Sequence, residues 1–416
     1  MTFDSLLKNI DPIVASALNT VLSGKDISVE QAVELFNSNG IEMNMVVLVA
    51  DEIRRQKVGD RVTYVVNRNI NFTNVCIKRC GFCAFSRDFR EEEGYFLPSE
   101  EIVRRAKEAY RLGATEVCIQ AGLPPKMDGY LYINLCRMLK KELPDIHIHA
   151  FSPEEVLYGA MRAKLKVEEY LAMLKEAGVG SLPGTSAEIL DQKMRDLISP
   201  GRITVRDWTR IIKLAHSMNI PTTSTIMYGH IESALHKAKH IDLLRKIQRE
   251  THGFTEFVPL SCVHNEAPMY NHGFISNMRP GPDGNEVIKM HAVARIMLNN
   301  YIDNIQTSWV KEGSRMSQVL LGVGVNDFGG TLINESISTA AGAQYGQLMK
   351  PKEIRTIIRS AGKVPAQRST TYQLLKVYDR EEEDSITESE LDKADPGQFG
   401  SYHQLIKLDK FRFKAI

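Results

Sequence analysis

The sequence contains few cysteines, almost no net charge and no long apolar run. Its six cysteines are too few for a disulfide framework in a chain of 416 residues. The 52 Lys and Arg residues nearly balance the 51 Asp and Glu residues, leaving a formal charge of +1. This balance argues against binding to nucleic acid or to an anionic membrane surface, so we expect no nucleic-acid partner.

No stretch of the chain approaches the roughly 18 consecutive apolar residues that a membrane-spanning helix needs. The segment MTFDSLLKNIDP lacks the basic and then apolar layout of a secretory signal. The 43% of hydrophobic and 25% of charged residues are typical of globular chains and exclude disorder throughout. We therefore expect a soluble, cytoplasmic protein with no membrane association.

The first part of the chain is predicted to form helices. Residues 1–60 carry apolar side chains at helical spacing, and Ser28 is predicted to cap a helix that has Glu30 in its first turn and ends near Gly40. From Val62 onward, short apolar or β-branched runs alternate with amphipathic stretches. This alternation predicts parallel strands joined by helices.

Eight runs are strand candidates, and six amphipathic stretches between them are helix candidates. The strand candidates are VTYVVNRNINFTNV, TEVCIQAG, IHIHAFSP, VGSLPG, PTTSTIMYGH, TEFVPLSCVH, NIQTSWV and VGVNDFGG. The helix candidates are EEIVRRAKEAYRLG, GYLYINLCRMLKKEL, VEEYLAMLKEAG, VRDWTRIIKLAHSMN, ALHKAKHIDLLRKIQRE and NEVIKMHAVARIMLNN.

Two closures suit this alternation, an open doubly wound sheet and a barrel. No glycine-rich dinucleotide turn follows the first strand candidate, and polar residues gather after nearly every run, where a barrel places its active site. We therefore predict an α/β fold, a TIM-type (β/α) barrel that is complete or nearly so. The predicted domains are an N-terminal helical segment (1–60), the barrel (61–350) and a C-terminal extension (351–416). The extension contains the acidic run DREEEDS, for which we expect a solvated loop.

The most specific motif is the cysteine loop, residues 76–83, which holds Cys76, Cys80 and Cys83 directly after the first strand candidate. Thiolates in this spacing favour an iron–sulfur cluster or zinc. A closed zinc site prefers a fourth Cys or His nearby, but the next cysteine is Cys118 and the nearest histidine is His147. The loop therefore predicts a 4Fe-4S cluster with one open iron. S-adenosylmethionine (SAM) can fill that position and yield a 5′-deoxyadenosyl radical after one-electron reduction. Structural zinc and a purely electron-transferring cluster stay open as alternatives.

The cysteine loop resembles the signature of the radical SAM superfamily, in which an aromatic residue, here Phe82, precedes the third cysteine and lies near the adenine of SAM. A longer set of motifs, covering about residues 40–375, resembles the family of 5-amino-6-(D-ribitylamino)uracil–L-tyrosine 4-hydroxyphenyl transferases, the tyrosine-using half of FO synthase. The motifs are INFTNVCIKRCGFCAFSRD, EVCIQAGLPP, IHIHAFSPEEV, GVGSLPGTSAEIL, IPTTSTIMYGH, GFTEFVPLSCVHNEAP and VNDFGGTLINESIS.

That resemblance implies a reaction of deazaflavin (FO, coenzyme F420) biosynthesis. The radical would take a hydrogen from the amino group of L-tyrosine and the Cα–Cβ bond would break. The 4-hydroxybenzyl fragment would then add to 5-amino-6-(D-ribitylamino)uracil. A reductant protein and the cyclising subunit of FO synthase are the partners that the resemblance implies.

The resemblance also implies cofactor contacts. Gln120, Ala121 and Gly122 match the superfamily segment that binds the SAM amino group, although the family has Gly-Gly and a His before the proline here. Glu188 resembles a carboxylate that binds the SAM ribose or amino group. The SAM carboxylate needs a basic partner, for which Arg195, Arg202 and Arg210 are candidates.

Strand-end residues are candidates for contact with the two substrates. His147 and His149 alternate along one strand, so they share a face. We predict His149 and His230 as catalytic groups that deprotonate a substrate amine or phenol. The predicted substrate-binding residues are His147, Ser152, Tyr228, His264, Asn326, Asp327 and Glu335.

Three rival functions fit parts of the same pattern. A zinc-dependent hydrolase barrel could use the histidines and Asp327 at strand ends as metal ligands. A related menaquinone-pathway radical SAM enzyme shares the shorter NxTNxCxxxCxFCAF element. An iron–sulfur carrier would use the cluster without cleaving SAM.

Overall fold

A computed structural model describes residues 6–273, 275–380 and 388–414 of the chain. Residues 381–387, which hold most of the acidic run, lie outside the described residues, so the expected solvated loop stays a prediction. Within the described residues, no helix combines the length and the apolar character needed to cross a bilayer.

The elements are numbered in chain order within the described residues. The helices are α1 Pro12–Leu22, α2 Val29–Asn37, α3 Gly40–Val58, α4 Ser99–Arg111, α5 Leu131–Glu142, α6 Pro153–Ala163, α7 Val167–Glu176, α8 Gln192–Ile198, α9 Val205–Ser217, α10 Ala234–Thr251, α11 Pro268–Asn271, α12 Gly284–Leu298, α13 Trp309–Leu320, α14 Ile337–Ala340, α15 Pro351–Ser360, α16 Glu390–Lys393 and α17 Tyr402–Leu405. The strands are β1 Arg61–Val65, β2 Asn67–Ile70, β3 Glu116–Ile119, β4 His147–Ala150, β5 Val179–Ser181, β6 Thr222–Tyr228, β7 Phe254–Ser261, β8 Asp327–Gly330, β9 Val364–Arg368 and β10 Leu374–Val377.

The strands close into a ring. β2, β3, β4 and β5 pair side by side in parallel, and β6 pairs in parallel with β7. Isolated bridges join β5 to β6 and join β7 to β8 through residues 305–306. β8 pairs in parallel with β1, which continues into β2 after Val66, so the sheet returns to its start. The predicted (β/α) barrel is therefore confirmed, and the six predicted connecting helices form as α4, α5, α7, α9, α10 and α12.

The N-terminal helices pack outside the barrel, α2 against α10 and α3 against α12. Ser28 caps α2 as predicted, since its side chain accepts from Gln31 N while the Gln31 side chain accepts from Ser28 N. The predicted end of this helix is wrong: α2 stops at Asn37, and Gly40 begins α3 instead.

The seventh strand is shorter than predicted. Only Ile305 and Gln306 of the run NIQTSWV form strand bridges, because α13 begins at Trp309. The indole of Trp309 donates to Gly330 O at 2.8 Å, which holds the start of α13 against the end of β8.

The C-terminal extension contributes to the sheet. β9 pairs in parallel with β1, and β10 pairs antiparallel with β9. β1 therefore lies between β8 and β9, and Arg368 at the end of β9 enters the barrel, where its guanidinium contacts Asp327. Neither β9 nor β10 is among the strands predicted from the sequence.

The C-terminal tail, residues 388–414, packs over the segment that follows the cysteine loop. Tyr402 is 2% exposed, and its ring lies 5.7 Å from the ring of Phe85. Tyr95 forms an antiparallel bridge with Arg412. The tail therefore buries one side of the chain that leaves the cysteine loop.

Replacing Tyr402 with Ala should remove this cover. We expect the free energy of unfolding to fall by roughly 3 kcal/mol, because truncating a buried aromatic leaves a cavity. Tyr110→Ala is the matched control, since Tyr110 is 42% exposed on α4, and it should cost less than about 0.5 kcal/mol. Urea denaturation measures both, and equal losses would contradict the packing role of Tyr402.

Candidate active site

A cavity of about 410 Å³ opens at the carboxyl ends of the barrel strands. Loops that follow several different strands contribute to its mouth, as expected of a barrel active site. The predicted site residues that line the cavity are Cys76, Cys80, Phe82, Cys83, Gln120, Ala121, Gly122, His149, Ser152, Glu188 and Glu335. The structure thus brings the predicted cluster ligands and the predicted SAM-binding residues together.

Hydrogen bonds join the cysteine loop to the segment that follows β3. Ile77 N donates to Leu123 O at 2.8 Å, and Gly122 N donates to Thr73 O at 2.8 Å. A Cβ atom on Gly122 would lie 2.3 Å from Val75 O, so only glycine allows this approach. The two segments expected to contact the cofactors are therefore held side by side by their backbones.

Arg202 connects the cysteine loop to two buried carboxylates. Its Nη1 lies 3.5 Å from Cys80 Sγ and 3.1 Å from Glu188 Oε1. Its Nε lies 3.4 Å from Glu154 Oε2, and its Nη2 donates to Ser186 Oγ at 2.6 Å. This fixed positive charge beside the thiols suits an anionic cluster and the carboxylate of SAM.

The other two candidate arginines point elsewhere. Arg195 is 1% exposed and donates to backbone carbonyl groups and to Glu188 Oε2. Arg210 lies on the surface, where its Nη1 is 3.2 Å from Glu168 Oε1. Of the three, only Arg202 lines the cavity.

Glu155 also lines the cavity, and the sequence analysis does not single it out. Its Oε1 accepts from Ala121 N at 2.9 Å, and its Oε2 accepts from Ser152 N at 2.8 Å and from Ser152 Oγ at 2.6 Å. Burial raises the pKa of Glu155 to about 7. The S-x-x-E pattern of a capping box, Ser152 to Glu155, is the sequence signal that could have found it.

The two histidines of β4 share a face, as predicted. The Oγ atom of Ser181 lies 2.7 Å from His147 Nε2 and 2.7 Å from His149 Nδ1. Only His149 of the pair lines the cavity. Burial lowers the pKa of His149 to about 4, so its imidazole is neutral near pH 7.

Five more predicted residues lie outside the cavity lining: Tyr228, His230, His264, Asn326 and Asp327. The hydroxyl of Tyr228 accepts from Ser261 Oγ at 3.0 Å. His230 is fully buried, with Nε2 at 3.1 Å from Met227 O. The ring of His264 packs edge-on against Tyr270.

Asn326 and Asp327 form hydrogen bonds within the barrel wall. Asn326 Oδ1 accepts from Arg295 Nη2 at 2.7 Å. Arg368 donates to Asp327 through Nε at 2.5 Å and through Nη2 at 2.9 Å. Both side chains thus accept hydrogen bonds from arginine residues of the same chain.

Deeper in the barrel, six polar side chains line the cavity, and we name them the polar floor: Asn67, Glu116, Glu256, Gln306, Arg368 and Thr370. Asn67 Nδ2 donates to Glu116 Oε1 at 2.8 Å, and Gln306 Nε2 donates to Glu256 Oε2 at 2.9 Å. Burial raises the pKa of Glu256 to about 7. The sequence analysis does not predict this group of residues.

The donors proposed for a zinc hydrolase do not converge. Within the described ranges, no three His, Cys, Asp or Glu residues are placed to hold a single metal ion. A 4Fe-4S cluster does not require its ligands to converge on one metal ion, because each cysteine binds a different iron. Three soft donors at one cavity mouth, with Arg202 beside Cys80, fit such a cluster.

Comparison with known proteins agrees with this geometry. Residues 70–244 match the radical SAM superfamily, and residues 251–381 match the CofH/MqnC C-terminal region. Methylornithine synthase has a similar fold, with a TM-score of 0.65 and 17% identity over 84% of this chain and 97% of that chain. The FeFe-hydrogenase maturase HydG from Carboxydothermus hydrogenoformans also gives a TM-score of 0.65 and 17% identity, over 89% of this chain and 83% of that chain.

Two curated relatives carry one name, 5-amino-6-(D-ribitylamino)uracil–L-tyrosine 4-hydroxyphenyl transferase. The protein of Methanocaldococcus jannaschii is 50% identical over 355 residues, which cover 85% of this chain and 98% of the relative. The protein of Methanothermobacter thermautotrophicus is 48% identical over 346 residues, which cover 83% and 94%. This chain therefore belongs to the radical SAM superfamily and, within it, to the family of 5-amino-6-(D-ribitylamino)uracil–L-tyrosine 4-hydroxyphenyl transferases.

Proposed function

We propose that this chain cleaves the Cα–Cβ bond of L-tyrosine and transfers the 4-hydroxybenzyl group to 5-amino-6-(D-ribitylamino)uracil in deazaflavin biosynthesis. The observation that carries the proposal is the shared cavity: three thiols of one loop line its mouth, and a polar interior lies beneath them. The relatives at about half identity are named for this transfer.

The cluster would be held by Cys76, Cys80 and Cys83, and SAM would be held by Phe82 and the segment after β3. When bound, the cluster and SAM supply one-electron cleavage of a C–S bond, which starts the reaction. Arg202 would hold the SAM carboxylate, because it is the candidate arginine that reaches the cavity. Glu188 would accept a hydrogen bond from the ribose or from the amino group of SAM.

The other cavity residues mainly position the substrates and exclude water from them. Among the two histidines proposed as bases, His149 lines the cavity and is neutral near pH 7, so it can accept a proton from a substrate amine or phenol. His230 is fully buried and lies outside the cavity lining, so the proposed base is His149 alone. A reductant protein and the cyclising subunit of FO synthase are the expected partners of this chain. The cytoplasm is its expected location.

Product identification tests this function. Anaerobic protein incubated with SAM, a reductant, tyrosine and the ribityl-diaminouracil should form the 4-hydroxybenzylated uracil, detected by mass spectrometry. Formation of 5′-deoxyadenosine without this product would contradict the assignment and favour the menaquinone-type enzyme.

Each cluster cysteine should be essential. We expect Cys76→Ala, Cys80→Ala and Cys83→Ala each to lose the iron and sulfide of the cluster and all activity, since each thiolate binds a separate iron. Cys136→Ala is the control, because Cys136 is buried within α5 and does not line the cavity. Loss of iron from Cys136→Ala with retention in Cys83→Ala would refute the ligand assignment.

Arg202→Lys should weaken SAM binding about tenfold to a hundredfold. Lysine keeps the charge but loses the planar fork, which costs one or two charge-assisted hydrogen bonds. Arg210→Lys, on the surface, should bind SAM like the unaltered protein. Equilibrium dialysis with the reconstituted protein measures both, and equal affinity in the two variants would remove Arg202 from the SAM site.

A further inference from the structure

The polar floor has a composition that barrel interiors rarely have. Layers of branched aliphatic side chains usually fill the centre of a (β/α) barrel. Here Glu116, Glu256, Arg368 and Thr370 line the cavity instead. Burying such groups is unfavourable unless they pair with each other or with a bound molecule.

Pairing within the chain is incomplete. Thr370 is 6% exposed, and its Oγ1, although it interacts with the Glu116 carboxyl group, makes no hydrogen bond of normal geometry. Glu335, in the loop after β8, is 5% exposed and its Oε2 has no hydrogen-bond partner, and Asn69 Oδ1 on β2 is also unpaired. All three residues line the cavity, so a molecule inside it can satisfy these atoms.

The charges on this surface are unbalanced. Arg368 is engaged by Asp327 through two hydrogen bonds and lies 3.5 Å from Glu256 Oε2. Glu116 receives a hydrogen bond from Asn67 and no ion pair in the described structure. Three carboxyl groups, those of Glu116, Glu256 and Asp327, therefore accompany a single guanidinium group, which suits hydroxyl groups and disfavours a phosphate.

The chemistry of the reaction indicates which part of the two substrates can contact the polar floor. This inference rests on the proposed function. The tyrosine amino group, its Cα–Cβ bond and the uracil ring all react, so they lie at the mouth beside the cysteine loop. The ribityl chain takes no part in the bond changes and carries several hydroxyl groups. It is the part of either substrate that matches a deep surface rich in acceptors.

We propose that the polar floor binds the ribityl chain, whose hydroxyl groups donate to Glu116, Glu256 and Thr370, and that it discriminates against a ribityl chain bearing a terminal phosphate. The floor thereby sets the specificity for the uracil substrate, whereas the mouth performs the chemistry.

Steady-state kinetics of Thr370→Val tests the contact. The KM for the ribityl-uracil should rise about three- to tenfold, as expected for one lost hydrogen bond, while the KM for tyrosine stays within about twofold. Thr115→Val is the matched control, because Thr115 Oγ1 is also buried and unpaired but lies outside the cavity lining. A rise in the KM for tyrosine instead would overturn the proposal.

Two altered acceptors separate binding from folding. With the diaminouracil that lacks the ribityl chain, Thr370→Val and the unaltered protein should have equal KM values, because the lost contact is already absent. The ribityl-uracil phosphorylated on its terminal hydroxyl should have at least a tenfold lower kcat/KM than the unphosphorylated ribityl-uracil. In Glu116→Gln, which removes a carboxylate from the polar floor, the difference in kcat/KM between the two compounds should be smaller. Equal kcat/KM for the phosphate ester and the parent would overturn the proposal.

The assays distinguish failure of the proposed transfer from failure of the proposed role of the polar floor. If the unaltered protein forms no benzylated uracil from any acceptor, the proposed function fails and the role of the floor fails with it. If product forms but Thr370→Val behaves like Thr115→Val, the transfer stands and only the role of the floor is refuted.

Discussion

The active site depends on one geometric constraint: three thiols on a single short loop face one cavity, and the loop itself contains no fourth cysteine or histidine. The loop keeps its place because its backbone is hydrogen-bonded to the segment after β3. The absence of a side chain at Gly122 is what permits that contact. Arg202 then adds a fixed positive charge beside Cys80. The cysteines, the SAM-binding segment and the arginine thus form one unit, although they come from loops after three different strands.

The cavity has two regions with different chemistry. The mouth combines soft sulfur, the partly buried Arg202 and the carboxylates of Glu154 and Glu188, which suits a charged cofactor. The polar floor is built by the barrel strands together with β9 from the C-terminal extension. A molecule that spans both regions can react at one end while its other end is held. This arrangement explains how the proposed transfer can fix a long acceptor without placing catalytic groups along its whole length.

Local patterns were sufficient to predict much of this molecule. The cysteine loop, Phe82 and the segment from Gln120 to Gly122 are short motifs that directly follow strands, so neighbouring residues define them. The barrel followed from the alternation of strand and helix patterns, which is also a local signal. Asp327 lies at the start of β8, opposite Thr63, where its carboxylate pairs with Arg368 and does not line the cavity. His230 lies outside the cavity lining because its loop turns back, which places the imidazole beside Met227 O.

Contacts between distant parts of the chain explain what the sequence did not reveal. Arg368 and Thr370 reach the barrel interior only because β9 pairs with β1, a strand about 300 residues earlier. No periodicity within 364–377 indicates that neighbour. The tail after residue 388 likewise gains its role through Tyr402, which packs on Phe85 far back in the sequence.

The open iron is the central claim, and electron paramagnetic resonance of the reduced, reconstituted protein tests it most directly. If the three thiols leave one iron free, the cluster signal should shift when SAM is added, and isotopes placed in the amino and carboxylate groups of SAM should couple to it. A signal that SAM leaves unchanged, with a fourth side chain bound to the cluster, would contradict the account.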